Sequence, residues 1–274
     1  HEATELADLS VQYVDYANWQ HERQKGGRQK EQLAYWQEQL GTAYQPLKLP
    51  LEPGGLGTAV SQPQRESIVI PEALMQSLKT LSQEEGATLF MVLMAAINIL
   101  LHSQAEQEDI LLFSTAGHNR PELKKIVGLF ANPLAYRTDL SNNPSFRQLL
   151  NQVKKVALDA QANQDLPFEK MIEMLPLTGG SASGRASLFQ VLFLYQHQPT
   201  PLLTLPELQA KLLTVGVHAP GFALRFFMEE VSGQLKGWLE YNEGSFTHDT
   251  ISQIVLNLQT LLPAIVANPE DEIA

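Results

Sequence analysis

Residues 87–101, Ala-Thr-Leu-Phe-Met-Val-Leu-Met-Ala-Ala-Ile-Asn-Ile-Leu-Leu, are the most apolar run of the chain and constrain its fold more than any other stretch. Thr88 is placed to cap a helix, and the helix predicted over Leu89 to Ser103 is apolar on nearly every side. Such a helix offers no face to water, so it belongs at the centre of a core. Asn98 interrupts the run, which also falls short of the ~20 apolar residues that cross a bilayer. The expectation is a buried helix and no membrane association, with the methionines as packing residues.

The segments around this helix alternate between two periods. Val11 to Lys25 and Arg28 to Leu40 carry helical apolar patterns, the second with Leu33, Trp36 and Leu40 on one stripe and Gly41 as its stop. Pro46, Pro50, Pro53, Gly54 and Gly55 then mark an extended linker, which divides an entry segment, 1–62, from the remainder, 63–274. Gln64 to Ile70 alternates as a strand does, and Pro71 opens a helix to Gly86 with Leu74, Leu78 and Leu81 inward. Asp109 to Thr115 is a short continuous apolar run, the pattern of an interior strand. Pro144 opens an amphipathic helix through Phe146, Leu149, Leu150, Val153, Val156 and Leu158, ending near Asn163. After a Gly/Ser-rich break from Thr178 to Gly184, strands are predicted over Leu188–Tyr195, Leu208–Val217, Leu224–Val231 and Leu235–Tyr241. The last two are joined by a Ser232-Gly233 hairpin, and Thr247 to Ala267 closes the chain as a helix. Strands and helices without strict alternation predict an α/β fold in which helices cover a mixed β-sheet, not a doubly wound dinucleotide fold.

Several chemistries lack the residues they need. Phosphate binding along nucleic acid needs clustered Lys and Arg, and the formal net charge here is −11. No cysteine is present, which removes thiol nucleophiles and zinc-thiolate sites. Neither a dinucleotide-binding nor a P-loop glycine pattern occurs, and the seven histidines show no metal-ligand spacing. Gly180-Ser-Ala-Ser-Gly184 lacks the strand and helix that would present a serine nucleophile.

What remains is Ile126 to Arg137, Ile-Val-Gly-Leu-Phe-Ala-Asn-Pro-Leu-Ala-Tyr-Arg. Phe130, Leu134 and Tyr136 fall at even spacing on one face of an extended segment, with Asn132 among them. An unpartnered buried amide costs about 1–3 kcal/mol. Asn132 therefore either has its hydrogen bonds satisfied by the fold or faces a water-filled cavity where a substrate uses them. Arg137, at the end of the segment, is expected to pair with a carboxylate.

Taken in order, three stretches resemble successive core motifs of the condensation domains of nonribosomal peptide synthetases: Val11 to Gln20, Ile126 to Arg137, and Asn163-Gln-Asp-Leu-Pro-Phe-Glu169. Arg28 to Leu40, Glu85 to Phe90, Gln107 to Ile110 and Ala264 to Pro269 are similar to that family in order and spacing as well. The resemblance implies a fold like that of chloramphenicol acetyltransferase, two lobes with a tunnel between them, of which this chain is the C-terminal lobe. The family's His-His-x-x-x-Asp-Gly signature lies upstream of the first motif and does not occur in this sequence. No catalytic residue is therefore expected in this chain, and the lobe alone is expected to be inactive.

By the same resemblance, Ala116, Gly128, Phe130 and Asn132 line the acceptor side of the tunnel. Structural support falls to Arg137, Gln164, Asp165, Pro167, Phe168 and Glu169, with Asp165 expected to cap a helix that starts at Pro167. His118 stands where the family usually has Arg, Ala131 where it usually has Val, and the last, arginine-rich motif is reduced to Gly184-Arg-Ala-Ser-Leu-Phe189. The implied reaction transfers an acyl or peptidyl thioester to the amine of an aminoacyl thioester. Both substrates ride on phosphopantetheine arms of partner carrier domains, and no cofactor or metal is bound directly. The implied partners are the N-terminal lobe, donor and acceptor carrier domains and neighbouring synthetase domains, with no nucleic acid, in the cytoplasm. The alternative is a non-catalytic module, degenerate or used for carrier-protein docking.

Overall fold

The structure, a computed structural model, describes residues 8–23, 25, 27–41, 44–52, 63–116, 121–173, 190–197 and 222–273. The expected strand at Leu208–Val217, the Thr178–Gly184 break, Gly184–Phe189 and His118 lie outside the described residues. Two compact units divide the chain. The smaller comprises His1–Ala43, Thr115–Leu134 and Asp159–Pro176, and the larger Tyr44–Ser114, Ala135–Leu158 and Leu177–Ala274.

The chain runs α1 (Tyr13–Arg23), α2 (Gly27–Leu40), β1 (Pro63–Ile70), α3 (Glu72–Glu84), α4 (Leu89–Ala105), β2 (Asp109–Ala116), a 3-10 turn (Pro121–Leu123), β3 (Asn132–Asp139), α5 (Phe146–Ala162), α6 (Phe168–Glu173), β4 (Val191–Gln196), β5 (Leu224–Val231), β6 (Gln234–Asn242) and α7 (His248–Ala267). Among the described residues, six strands form one mixed sheet in the order β1-β6-β5-β4-β2-β3. β1 and β5 flank β6 antiparallel, while β4 runs parallel to both β5 and β2. This is the α/β architecture that the sequence predicts.

In the larger unit α4 is buried from Met91 to Leu101 without a break. Thr88 caps it, its Oγ1 accepting the Met91 N–H, and Nδ2 of the fully buried Asn98 donates to Thr138 Oγ1 at 3.3 Å. α3 and α7 pack on α4, and α7 also packs on β1. Among the described residues α7 is the one single helix long and apolar enough to cross a membrane. Its stripe of Ile251, Ile254, Val255, Leu258, Leu262 and Ile265 is buried within the protein. At the β5–β6 hairpin, Ser232 and Gly233 both take positive φ, 50° and 79°, as a two-residue turn of this kind requires.

Four expectations shift. α5 starts at Phe146 rather than Pro144, because Ser145 and Gln148 form a reciprocal capping box: Ser145 N–H donates to Gln148 Oε1 at 2.9 Å and Gln148 N–H to Ser145 Oγ at 3.3 Å. Further along α5, Leu158 is half exposed and the buried positions are Ala157 and Ala160. In α3, Met75 rather than Leu74 is the fully buried residue of the first turn. Finally, Phe130 precedes β3, which begins at Asn132 with Pro133 at its second position, in the strand that stands last in the sheet order among the described residues, where proline is tolerated.

Candidate functional site

Within the smaller unit, the segment from Gln164 to Phe168 is held by one side chain. Asn132 Nδ2 donates to the carbonyl oxygens of Gln164 at 2.9 Å and Leu166 at 2.8 Å. Its Oδ1 accepts the N–H of Phe168 at 3.1 Å. Both amide hydrogens are thus used, and Oδ1 keeps one further lone pair. The Phe168 bond also supplies the helix cap expected from Asp165. α6 begins at Phe168, not Pro167, and its first N–H meets Asn132. The Asp165 carboxylate turns instead to Arg23, with Nη2 3.3 Å from Oδ2. Pro167 contributes its carbonyl, which accepts from Lys170 at 3.0 Å and Met171 at 3.2 Å, and Glu169 lies in the first turn where a carboxylate favours the helix dipole.

The stretch before Asn132 meets α1. The Phe130 ring stands edge-on to Tyr13 and Tyr16, with centroids 5.4 and 4.8 Å apart. Tyr13 Oη donates to the Leu129 carbonyl at 3.2 Å. Gly128 lies so close to the Tyr13 ring that an added Cβ would sit 2.1 Å from Cδ2, a backbone approach only glycine permits. On either side of Gly128, Val127 and Leu129 are 96% and 76% exposed. Ala116 is the last residue of β2. α2 joins the same unit through Trp36, whose Nε1 donates to the Asn163 carbonyl at 3.1 Å.

In the larger unit Arg137 finds the carboxylate that the sequence left unnamed. Nε donates to Asp109 Oδ1 at 2.8 Å and Nη2 to Oδ2 at 2.6 Å, a two-point pair that raises the guanidinium pKa further. Tyr136 is buried beside Phe90, and burial pushes its phenol up to about 12, so it stays neutral.

Among the described residues no cluster of three His, Asp or Glu side chains is placed to hold a metal ion. Sequence reasoning passed over Arg23, Arg28 and Gln32, which the structure places around one cavity with Asp165 and Leu166. The signal was present in α2, since Arg28, Gln32, Trp36 and Leu40 are spaced four apart and share the stripe that is buried from Gln32 onward.

The condensation domain family model matches residues 1–274. The chain belongs to that family. A linear gramicidin synthase of Brevibacillus parabrevis is 38% identical over 275 residues, which cover 99% of this chain and 5% of that protein. A dimodular nonribosomal peptide synthase of Bacillus subtilis (strain 168) is 34% identical over 290 residues, covering 98% of this condensation-domain chain and 12% of that protein. The chain therefore spans a small part of the length of these relatives. Among solved structures, the X-domain from teicoplanin biosynthesis superposes with TM-score 0.84 at 24% identity, covering 98% of this chain and 62% of its own. The condensation domain of monacolin K polyketide synthase superposes with TM-score 0.80 at 16% identity, covering 100% and 65% respectively. These likenesses show the condensation-domain fold.

Proposed function

We propose that this chain is the C-terminal lobe of a condensation domain, supplying the acceptor-side wall of a tunnel in which carrier-bound thioesters are joined through an amide bond. The observation that carries this reading is the convergence of three motifs far apart in sequence: Phe130 packs on Tyr13 and Tyr16, and Asn132 ties down Gln164 to Phe168. In this reading Ala116, Gly128, Phe130 and Asn132 border the tunnel. Arg137, Gln164, Asp165, Pro167, Phe168 and Glu169 form its frame, and the lobe itself runs from residue 63, with 1–62 as its entry segment. Because both amide hydrogens of Asn132 are engaged, Asn132 acts chiefly as a positioning residue that holds the tunnel-side segment.

The amine of the acceptor thioester attacks the donor thioester carbonyl. A C–N bond forms, the C–S bond breaks, the amine loses a proton and the departing thiolate gains one. Holding two tethered reactants together makes this step effectively intramolecular, which supplies much of the rate. The general base belongs to the N-terminal lobe, and the substrates arrive on phosphopantetheine arms of donor and acceptor carrier domains within a cytoplasmic synthetase. Incubating loaded carrier proteins with the synthetase that contains this chain, and separately with the chain alone, tests the assignment. Amide product is expected only in the first case, and turnover by the chain alone would refute it.

A second reading, a non-catalytic interaction module, is favoured by one observation. The X-domain from teicoplanin biosynthesis, solved in complex with OxyB, superposes on this chain with TM-score 0.84 at 25% identity. Retention of carrier proteins by the synthetase with no amide product would favour this reading over the first.

A further inference from the structure

We infer that the cavity lined by Val11, Asp15, Tyr16, Trp19, Glu122 and Leu123 binds a primary ammonium group carried on an apolar stem. All six residues belong to the smaller unit, four of them from the start of the chain and α1 and two from the 3-10 turn. The cavity measures about 240 Å³, a little under the ~300–1,000 Å³ of sites that hold drug-sized molecules. It therefore suits one long side chain or a small amine. Tyr16 and Leu123 are buried and Val11 and Trp19 half-buried, whereas Asp15 and Glu122 are exposed. The apolar residues thus form the wall, where a hydrocarbon stem leaves water, and the carboxylates stand where the cavity meets solvent.

Charge decides what the stem carries. No Lys, Arg or His lines the cavity, and neither carboxylate has an ion-pair partner among the described residues. Lys124 and Lys125, next along the chain, are exposed and line none of it. Asp15 spends Oδ2 on the Gln12 N–H at 2.8 Å, which fixes the carboxylate and leaves Oδ1 for a ligand. Two like charges without a counter-ion select a cation. A divalent metal is not the cation that fits, since it needs about six oxygen ligands and only two carboxylates are offered. Trp19 already carries the Arg23 guanidinium 4.6 Å from its ring centre, so the selection rests on the carboxylates and the ring supplies apolar surface. The wall is in place before a ligand arrives. Tyr16 is held by Tyr13, Trp19 and Phe130, with ring centroids 5.9, 5.9 and 4.8 Å away, so little ordering is left for binding to impose.

Phenethylamine hydrochloride titrated into the chain at constant ionic strength tests the site. Calorimetry gives the affinity, and the indole N–H resonance of Trp19 reports the location. Saturable binding at one site per chain is expected, with that resonance shifting along the same curve. Phenethyl alcohol and hydrocinnamate keep the apolar body without the cation and should bind at least about fivefold more weakly. Asp15→Asn and Glu122→Gln should each weaken phenethylamine binding by about two- to fivefold, the scale of one exposed ion pair, and together by about tenfold. Both variants keep the fold, because asparagine retains an oxygen for the Gln12 N–H and Glu122 is exposed. Glu38→Gln, which removes an exposed carboxylate of α2 outside the cavity, should leave the affinity unchanged. Nα-acetyl-lysine amide binding as well as phenethylamine indicates a site that takes a lysine side chain, whereas its exclusion indicates a site for free amines, and either supports the class. Absence of saturation, phenethyl alcohol binding as tightly as phenethylamine, or full affinity in the double variant would overturn the proposal.

Discussion

Asn132 Oδ1 accepts the N–H of Phe168 at 3.1 Å, so a residue at the start of a strand caps a helix 36 positions later. The same side chain donates to two carbonyls of the connecting segment. Asn132→Ala leaves one donor and two acceptors without partners, and the expected loss is about 1–3 kcal/mol. Denaturant unfolding measures that loss, and hydrogen exchange at the Phe168 amide should speed up before the rest of the chain is affected. A midpoint unchanged from wild type would show that this segment is held by something else.

Gly128 and Tyr13 make a second test. A Cβ at position 128 would meet the Tyr13 ring at 2.1 Å, so Gly128→Ala must displace the ring from Phe130 and break the Tyr13 hydrogen bond to Leu129. The variant should fold, since Tyr13 is partly exposed and can swing outward. Its Tyr13 ring resonances should lose their ring-current shift from Phe130. Unchanged Tyr13 resonances would contradict the close approach.

Much of this was legible in the sequence where a local pattern settles the outcome. α4 is apolar on nearly every side, so burial was the arrangement open to it, and Ser232-Gly233 carries the turn chemistry of its hairpin. The two sides of the site differ in this respect. Asn132 announced itself as an amide on an apolar face, but its partners lie 32 to 36 residues away and depend on how the chain returns. The Asp109 partner of Arg137 is likewise fixed by tertiary structure, 28 residues apart. Gln32 was missed for a different reason: polar residues on a helix are read as exposed, although its spacing from Trp36 and Leu40 put it on the buried stripe.

Gly237 and Gly27 are expected to behave oppositely. A Cβ on Gly237 would lie 1.9 Å from the Phe227 carbonyl oxygen and 2.9 Å from Met228 Cα, both backbone atoms of the paired strand β5. Gly237→Ala should destabilise by about 1–3 kcal/mol or prevent folding, because the sheet itself must move. Nothing lies within 4 Å of a Cβ on Gly27, at the start of α2. There Gly→Ala should be neutral or stabilising by about 0.4–1 kcal/mol. Thermal unfolding of the two variants side by side decides the matter, and equal effects would contradict the geometry.

Glu230 predicts an acid-sensitive contribution to stability. Burial raises its pKa, but hydrogen bonds from Lys79, Tyr195 and His197 outweigh burial and hold the carboxyl below its ordinary value. A depressed carboxylate pKa stabilises the fold above the unfolded value, near 4.3 for glutamate, and that stabilisation is lost as pH falls through the folded value. The denaturant midpoint should therefore drop as pH falls below about 4. Glu230→Gln should flatten that part of the profile while lowering stability at neutral pH. An identical acid slope in the variant would remove Glu230 from the account.

In the role proposed for it, the Asn132-held segment positions substrates for amide formation. The most direct measurement is the single-turnover rate between two loaded carrier proteins, using the synthetase that contains this chain with and without Asn132→Ala. Far-ultraviolet circular dichroism should first establish that the variant is folded. A misplacement of about 1 Å at a positioned site costs roughly a hundredfold in rate, so a fall of about ten- to a hundredfold is predicted. A rate equal to wild type in a folded variant that has lost the clamp would contradict the account.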